Sequence, residues 1–239
     1  NHVCFEEARF VPAGYTSPIY PKDSEHCPPD PEYTRHFVNH VLNAYNLTHV
    51  RRIPGHVVAI ERVPYISHPR SKPGNTERLL SNLRHLAMML PKTLIAQRQQ
   101  LKQEQHGNGK NLLSFFSKPS SSTTTFPRVT VNVVTLVNDT MCDQIAAIRQ
   151  AHVLLANHGA GLTHLLFLDN GAHVIELNCN HGFFVQLARW RGGGPGDKLR
   201  HYCQGFVDTG ETISERFWKD NVEWVIANRV FASTAASST

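Results

Sequence analysis

The sequence predicts an α/β fold built on a parallel sheet, and three observations carry that expectation. Short, continuously apolar runs recur along the chain, among them HVVAIE at 56–61, VTVNVVTLV at 129–137, HVLLA at 152–156 and HVIEL at 173–177. Segments of helical periodicity separate them, the alternation expected when a sheet is buried on both faces. A glycine turn then stands where one apolar run passes into a helical one. The 239 residues suffice for one large domain or two small ones, and 41% hydrophobic against 18% charged residues places the chain among globular proteins. Lys+Arg of 24 against Asp+Glu of 19, a formal +5, suits an anionic small ligand and is too dispersed for a nucleic-acid groove. No apolar run is long enough to span a bilayer.

In chain order, 1–35 is rich in proline (Pro12, Pro18, Pro21, Pro28, Pro29 and Pro31) and is expected to be irregular and extended. Phe37, Val41, Leu42 and Tyr45 share helical spacing, so a helix is expected over 33–45, ending near Asn46. The run at 56–61 reads as a buried strand. Leu79, Leu80, Leu83, Leu86 and Leu90 mark a helix face expected to stop at Pro91. The stretch 97–126, polar and then rich in serine and threonine, reads as a surface insertion, mobile or partly helical. Strands are expected at 129–137, 152–156 and 173–177, with helices over 142–150, 162–168 and 183–190. The glycine-rich tract at 192–196 reads as a loop, and Thr212-x-x-Glu215 as a capping box opening a last helix to about 230. Its apolar face carries Trp218 and Trp224. The chain begins Asn-His-Val without a signal-peptide pattern, so it is expected to be a piece of something longer.

The chemistry concentrates in Asn157-His158-Gly159-Ala160-Gly161-Leu162-Thr163. Two glycines let the backbone turn tightly and approach a ligand without a Cβ in the way. Amides opening the following helix would then point beyond the strand's carboxyl end, a natural seat for phosphate. His158 and the Thr163 hydroxyl add polar groups, and Glu176, on the next strand, is expected at the same rim, where it would accept from ribose hydroxyls. Three other readings share the motif. A dinucleotide fingerprint would need a third glycine where His164 stands. An esterase oxyanion loop would need a G-x-S-x-G elbow, which occurs nowhere in the chain. The third is a glycine turn chosen only for tight packing. The five cysteines form no C-x-x-C pair, there is no D-x-D, and the fifteen histidines show no Cys-paired zinc spacing. Arg51-Arg52 and Arg189-x-Arg191 read as solvated faces. Two sequons, at Asn46 and Asn138, are candidate glycosylation sites.

HGAGLTHLLFL at 158–168 followed by VIELNC at 174–179 resembles glycosyltransferase family 61. The likeness extends to Val3-Cys4-Phe5, Cys27, FVNHVLNAYNLT at 37–48, VVAIER at 57–62, 75–79 and Leu187-Ala188-Arg189. The resemblance implies a GT-B-like fold: a Rossmann-like carboxy-terminal half with a parallel sheet over 55–208, and a remainder of the amino-terminal, acceptor-side half at 1–54, incomplete in this chain. A closing helix is expected at 209–232 and a disordered tail at 233–239. The function implied is inverting transfer from a UDP-sugar donor, with O-GlcNAc transfer to Ser or Thr of EGF-like domains the nearest branch. Xylosyl or arabinosyl transfer to a glycan, or an inactive remnant that binds a partner, is the alternative. Carried over residue by residue, Arg62 would meet the diphosphate, His158, Gly159, Ala160, Gly161, Leu162 and Thr163 the nucleotide and phosphates, and Glu176 the nucleotide end. Arg70, with Pro69 before it, departs from the family's spacing for a second arginine. No cofactor is implied, metal use stays open, and no residue is assigned as the general base. The family also implies the lumen of the secretory pathway. There a Cys4–Cys27 pair and a bonded Cys179 would replace the free thiols that arithmetic alone favours.

Overall fold

Five short strands lie side by side in parallel: β1 (His56–Ile60), β2 (Thr130–Val134), β3 (Val153–Asn157), β4 (His173–Leu177) and β5 (Arg200–Cys203), in the spatial order β2-β1-β3-β4-β5. The computed structural model describes residues 31–63, 79–107, 128–179, 183–192, 200–203 and 212–230. The expectations for Cys4, Cys27, Arg70, 193–196 and 233–239 lie outside the described residues, as does 108–126 of the insertion.

The central strands form because their side chains can be buried on both faces. All five residues of β3 and all five of β4 are buried, as are four of the five in β1. Val57, Ala59, Val153, Leu155, Ile175 and Leu177 face one layer, made by α2 (Leu83–Gly107) and a closing helical stretch. Val58, Ile60, Leu154, Ala156 and Val174 face the other, made by α3 (Met141–Arg149), a 3-10 helix (Ala160–Phe167) and α4 (Phe183–Arg191). Helix α1 (Pro31–Ala44) packs outside that second layer through Val38 and Leu42, near Ile145 of α3. It ends where Asn46 takes the left-handed conformation (φ 54°), with the Leu47 amide reaching back to the Leu42 carbonyl at 2.7 Å. No described helix is long and apolar enough to cross a membrane.

The structure adds to or corrects several local expectations. Helix α2 does not stop at Pro91: Leu83, Ala87, Leu90 and Leu94 continue one buried stripe across it. Burying Leu90 and Leu94 outweighs the lost hydrogen bond, a penalty of about 3 kcal/mol for an interior proline. The same helix takes in 97–107, in line with the partly helical insertion expected. The segment after the glycine turn is 3-10 rather than α. There the Thr163 hydroxyl donates to the Ala160 carbonyl (2.7 Å) and His164 Nδ1 to the Gly161 carbonyl (3.1 Å), occupying carbonyls three residues back. Strand β5 was not expected at all. Finally, Ser214, not Thr212, caps the last helix, accepting from the Phe217 amide at 3.2 Å. Asn82 holds both backbone groups of Ile213 (2.7 and 2.9 Å), keeping the chain extended until that point. After α5 (Glu215–Phe217) the stretch widens into π-helical turns over Trp218–Glu223 and Ile226–Val230. Trp218 is buried there and Trp224 is 47% exposed, so only the first belongs to the core.

The arginine pairs are not merely solvated. Arg191 donates to the carbonyls of Leu166 and Leu168 (both 2.9 Å), and Arg52 to that of Gly171 (3.2 Å). With Arg149, which donates to the Phe167 carbonyl at 3.1 Å, they close the carboxyl end of the 3-10 helix.

Candidate functional site

The strand order fixes where a ligand can enter. The chain passes from β1 outward to β2, then returns across β1 to place β3 on its other side, so the loops leaving β1 and β3 diverge. Open α/β sheets bind ligands beyond the strands' carboxyl ends at such a reversal. A cleft of about 140 Å³ lies there, walled by residues 60–63 after β1, 135–137 after β2, and 156, 157 and 159–161 around the end of β3. Whole drug-sized ligands take about 300–1,000 Å³, so this cleft suits one compact group of a larger ligand.

Arg62 and the glycine turn meet inside it. A Cβ on Gly159 would lie 3.1 Å from Arg62 Nη1, and one on Gly161 would lie 3.3 Å from the Ile60 side chain. Gly159 has extended backbone (φ 162°) that any residue adopts, so close approach, not conformation, calls for glycine. Arg62 Nη1 is buried and has no hydrogen-bond partner among the described residues. A guanidinium proton withdrawn from water without an acceptor is costly, and an anion in the cleft would satisfy it. Glu61, beside it, is turned to Arg84, whose Nε and Nη2 donate to its carboxylate at 2.8 and 2.6 Å. The Leu162 amide is the first bonded back into the helix, to the Gly159 carbonyl (3.0 Å). The amides ahead of it, at Ala160 and Gly161, have no acceptor within the helix.

His158 stands directly behind this turn. Its amide donates to the Leu177 carbonyl (2.8 Å), its ring lies edge-on to Phe184 (centroids 5.2 Å apart), and Nδ1 donates to Glu176 Oε1 at 2.5 Å. The other oxygen of Glu176 accepts from His201 Nε2 at 2.8 Å. Glu176 is 0% exposed, so it is not at the rim as the sequence suggested. It shares with Val174 the sheet face covered by α4, and its carboxylate is taken up by two imidazoles.

Of the expected residues, Arg62, Gly159, Ala160 and Gly161 line the cleft. His158 lies behind it, Leu162 is core (0% exposed), Thr163 is on the outer side of the first 3-10 turn, and Glu176 is beneath. Sequence reasoning missed the wall at 135–137, where Leu136 (φ 58°) and Asn138 (φ 71°) turn left-handed as β2 ends. It included Asn157 in the motif without a role, where the structure has its side chain accept from Asn178 Nδ2 (2.9 Å), and it missed His201. The positive-φ asparagine was the available signal for the loop; nothing marked His201. Asn46 and Asn138 are both exposed, and Asn138 adjoins the cleft wall. Cys179 is disulfide-bonded, against the arithmetic expectation of free thiols, and Cys142 is free. Among the described residues, no group of three or more His, Cys, Asp or Glu is arranged to hold a metal ion.

Comparison with known proteins adds two findings. The family model described as Glycosyltransferase 61 matches residues 13–175. Over 52 residues the chain is 50% identical to the EGF domain-specific O-linked N-acetylglucosamine transferase of Drosophila melanogaster. That stretch covers 21% of this chain and 10% of the relative.

Proposed function

This chain belongs to the glycosyltransferase 61 family, and from that premise we propose that it binds a UDP-sugar and transfers the sugar, with inversion, to a hydroxyl acceptor. One observation carries the reading: a cleft at the strand-order reversal in which a buried Arg62 nitrogen without a described partner faces Gly159. In the proposed reaction the diphosphate sits in that cleft, against Arg62 and the amides of 159–161. The acceptor oxygen attacks the anomeric carbon opposite the diphosphate, the sugar–phosphate bond breaks, and the electron pair stays on the departing diphosphate. Charge on that group grows as the bond breaks, so the guanidinium and the amides stabilise the transition state more than the bound donor. The acceptor's proton passes to a general base.

In this reading the sheet is the donor-binding half of a GT-B-like enzyme. The name of the Drosophila relative supports N-acetylglucosamine as the sugar and an oxygen of an EGF domain as the acceptor. The Cys179 disulfide and the exposed sequon asparagines support an oxidising, secretory compartment. The test is titration of the chain with UDP and UDP-GlcNAc, followed by calorimetry and by thermal shift. Ligand at 100 times Kd should stabilise the fold by about 2.7 kcal/mol. Absence of any shift with millimolar UDP would overturn the proposal.

A further inference from the structure

The three polar groups behind the cleft form one diagonal across the sheet. Glu176 pairs in register with Ala156 of β3 and with Cys203 of β5. His158 lies two residues beyond Ala156, and His201 two residues before Cys203. Alternate residues share a face, so all three project to the side covered by α4, stepping across β3, β4 and β5. The carboxylate in the middle is 0% exposed, and the side chains of His158 and His201 are 12% and 5% exposed. Stability does not call for such a group. Burying a carboxylate costs several kcal/mol before its partners offset it, and apolar replacements of buried ionic clusters are often neutral or better. Strand β5 is a four-residue edge strand, yet it places an imidazole, not an apolar side chain, against the acid.

We propose that His201 is a positioning residue which, through Glu176, fixes the ring of His158 and so the turn that presents Gly159 to Arg62; the role of that turn rests on the donor-site reading above. An ionised carboxylate only accepts, so Nδ1 of His158 and Nε2 of His201 must both carry hydrogen. With His201 in place, Oε2 is satisfied and Oε1 remains aimed at His158. That bond fixes both the ring plane and which nitrogen holds the hydrogen, as a carboxylate partner does for a histidine ligand. His158 is held by its amide on Leu177 and by its ring on Glu176, one residue ahead of Gly159. Without His201, Oε2 loses that partner and the Glu176 carboxylate is free to rotate, which loosens its bond to His158 Nδ1.

The experiment compares the full chain with His201→Leu, His201→Asn and His201→Gln. Glutamine's amide nitrogen can reach the Nε2 position, whereas asparagine's falls short. Nitrogen-15 spectra of the imidazoles report which nitrogen of His158 is protonated, and calorimetry with UDP reports affinity. His158 should keep its Nδ1-protonated signature in the native chain and in His201→Gln, and lose it in His201→Asn and His201→Leu. UDP affinity should fall about fivefold in the latter two, within the coupling expected inside one network, and His201→Gln should restore it. In a His158→Ala background the His201 effect should vanish. Should His201→Leu fail to fold, the Asn/Gln pair decides the matter. An unchanged His158 signature in His201→Asn overturns the positioning role whether or not UDP binds. A native chain that keeps the signature but ignores UDP overturns the donor-site reading alone.

Discussion

Both edges of the sheet are crowded with histidines, and the comparison between them separates structure from function. At the amino edge, His56 opens β1, His173 opens β4 and His152 precedes β3. There the rings close backbone or hydroxyl groups. His152 Nδ1 accepts from the Gly55 amide (3.0 Å), His56 pairs with Thr130 (2.8 Å), and His173 stacks on Tyr202 with centroids 5.9 Å apart. At the carboxyl end, His158 donates to a buried carboxylate behind an open cleft, the second oxygen of that carboxylate takes His201 from lower on the neighbouring strand, and a buried arginine nitrogen in the cleft lacks a described partner. Residue type is the same at both edges; the direction of the strands is not. Parallel strands put their diverging loops at one end only, so polar groups at the other end have nothing to serve but the fold.

That contrast can be broken most forcefully at His152. Burial, helped by the nearby charge of Arg52, lowers its pKa to about 4 from 6.5. The unfolded chain therefore takes a proton near pH 6.5 while the folded chain waits until about 4. Stability from this group is complete above pH 6.5 and is lost as pH falls to 4, by about 3 kcal/mol in all. Denaturant unfolding across that range should show the loss, and His152→Gln should abolish this component without changing UDP affinity. If His152→Gln instead weakens UDP binding, the amino edge is not purely structural.

Next in size is Arg62→Ala. It should weaken UDP binding about 10- to 100-fold, the worth of a charge-assisted hydrogen bond or two. Unfolding stability should hold or rise, because no described hydrogen bond is lost and an unpaired buried donor is removed. A large fall in stability with unchanged affinity would reverse the roles assigned to the two edges. The smallest effect is expected for Gly159→Ala. Its Cβ would press on the far end of the Arg62 side chain, which can yield, so affinity should drop about threefold and stability by less than about 1 kcal/mol. A greater loss of stability would show that the turn is rigid for reasons other than its approach to Arg62.

Much of this architecture was legible because buried parallel strands advertise themselves. The run HVIEL coincides with β4, and the runs at 56–61 and 152–156 differ from β1 and β3 by single residues at their ends. The meeting of Arg62 with the glycine turn was an expectation of the family resemblance, which set both segments at one diphosphate. What stayed hidden depends on relations between distant segments. Spatial strand order is not written in any local pattern, so the 135–137 wall of the cleft could not be anticipated. Both faces of β4 are buried, leaving no alternation to say that Glu176 points under α4 and not to the rim. Four residues of β5, RHYC, carry too weak a signal to announce a strand, and with it His201. Pro91 and the 3-10 helix reflect packing and side-chain hydrogen bonds that override local preference.

The most direct measurement is amide hydrogen exchange on the full chain with and without saturating UDP. Exchange should slow in the segments 60–63, 135–137 and 157–161, with the amides at 56, 152 and 173 unchanged. Protection confined to the amino edge, or spread evenly over the sheet with none at 157–161, would contradict the donor-site reading.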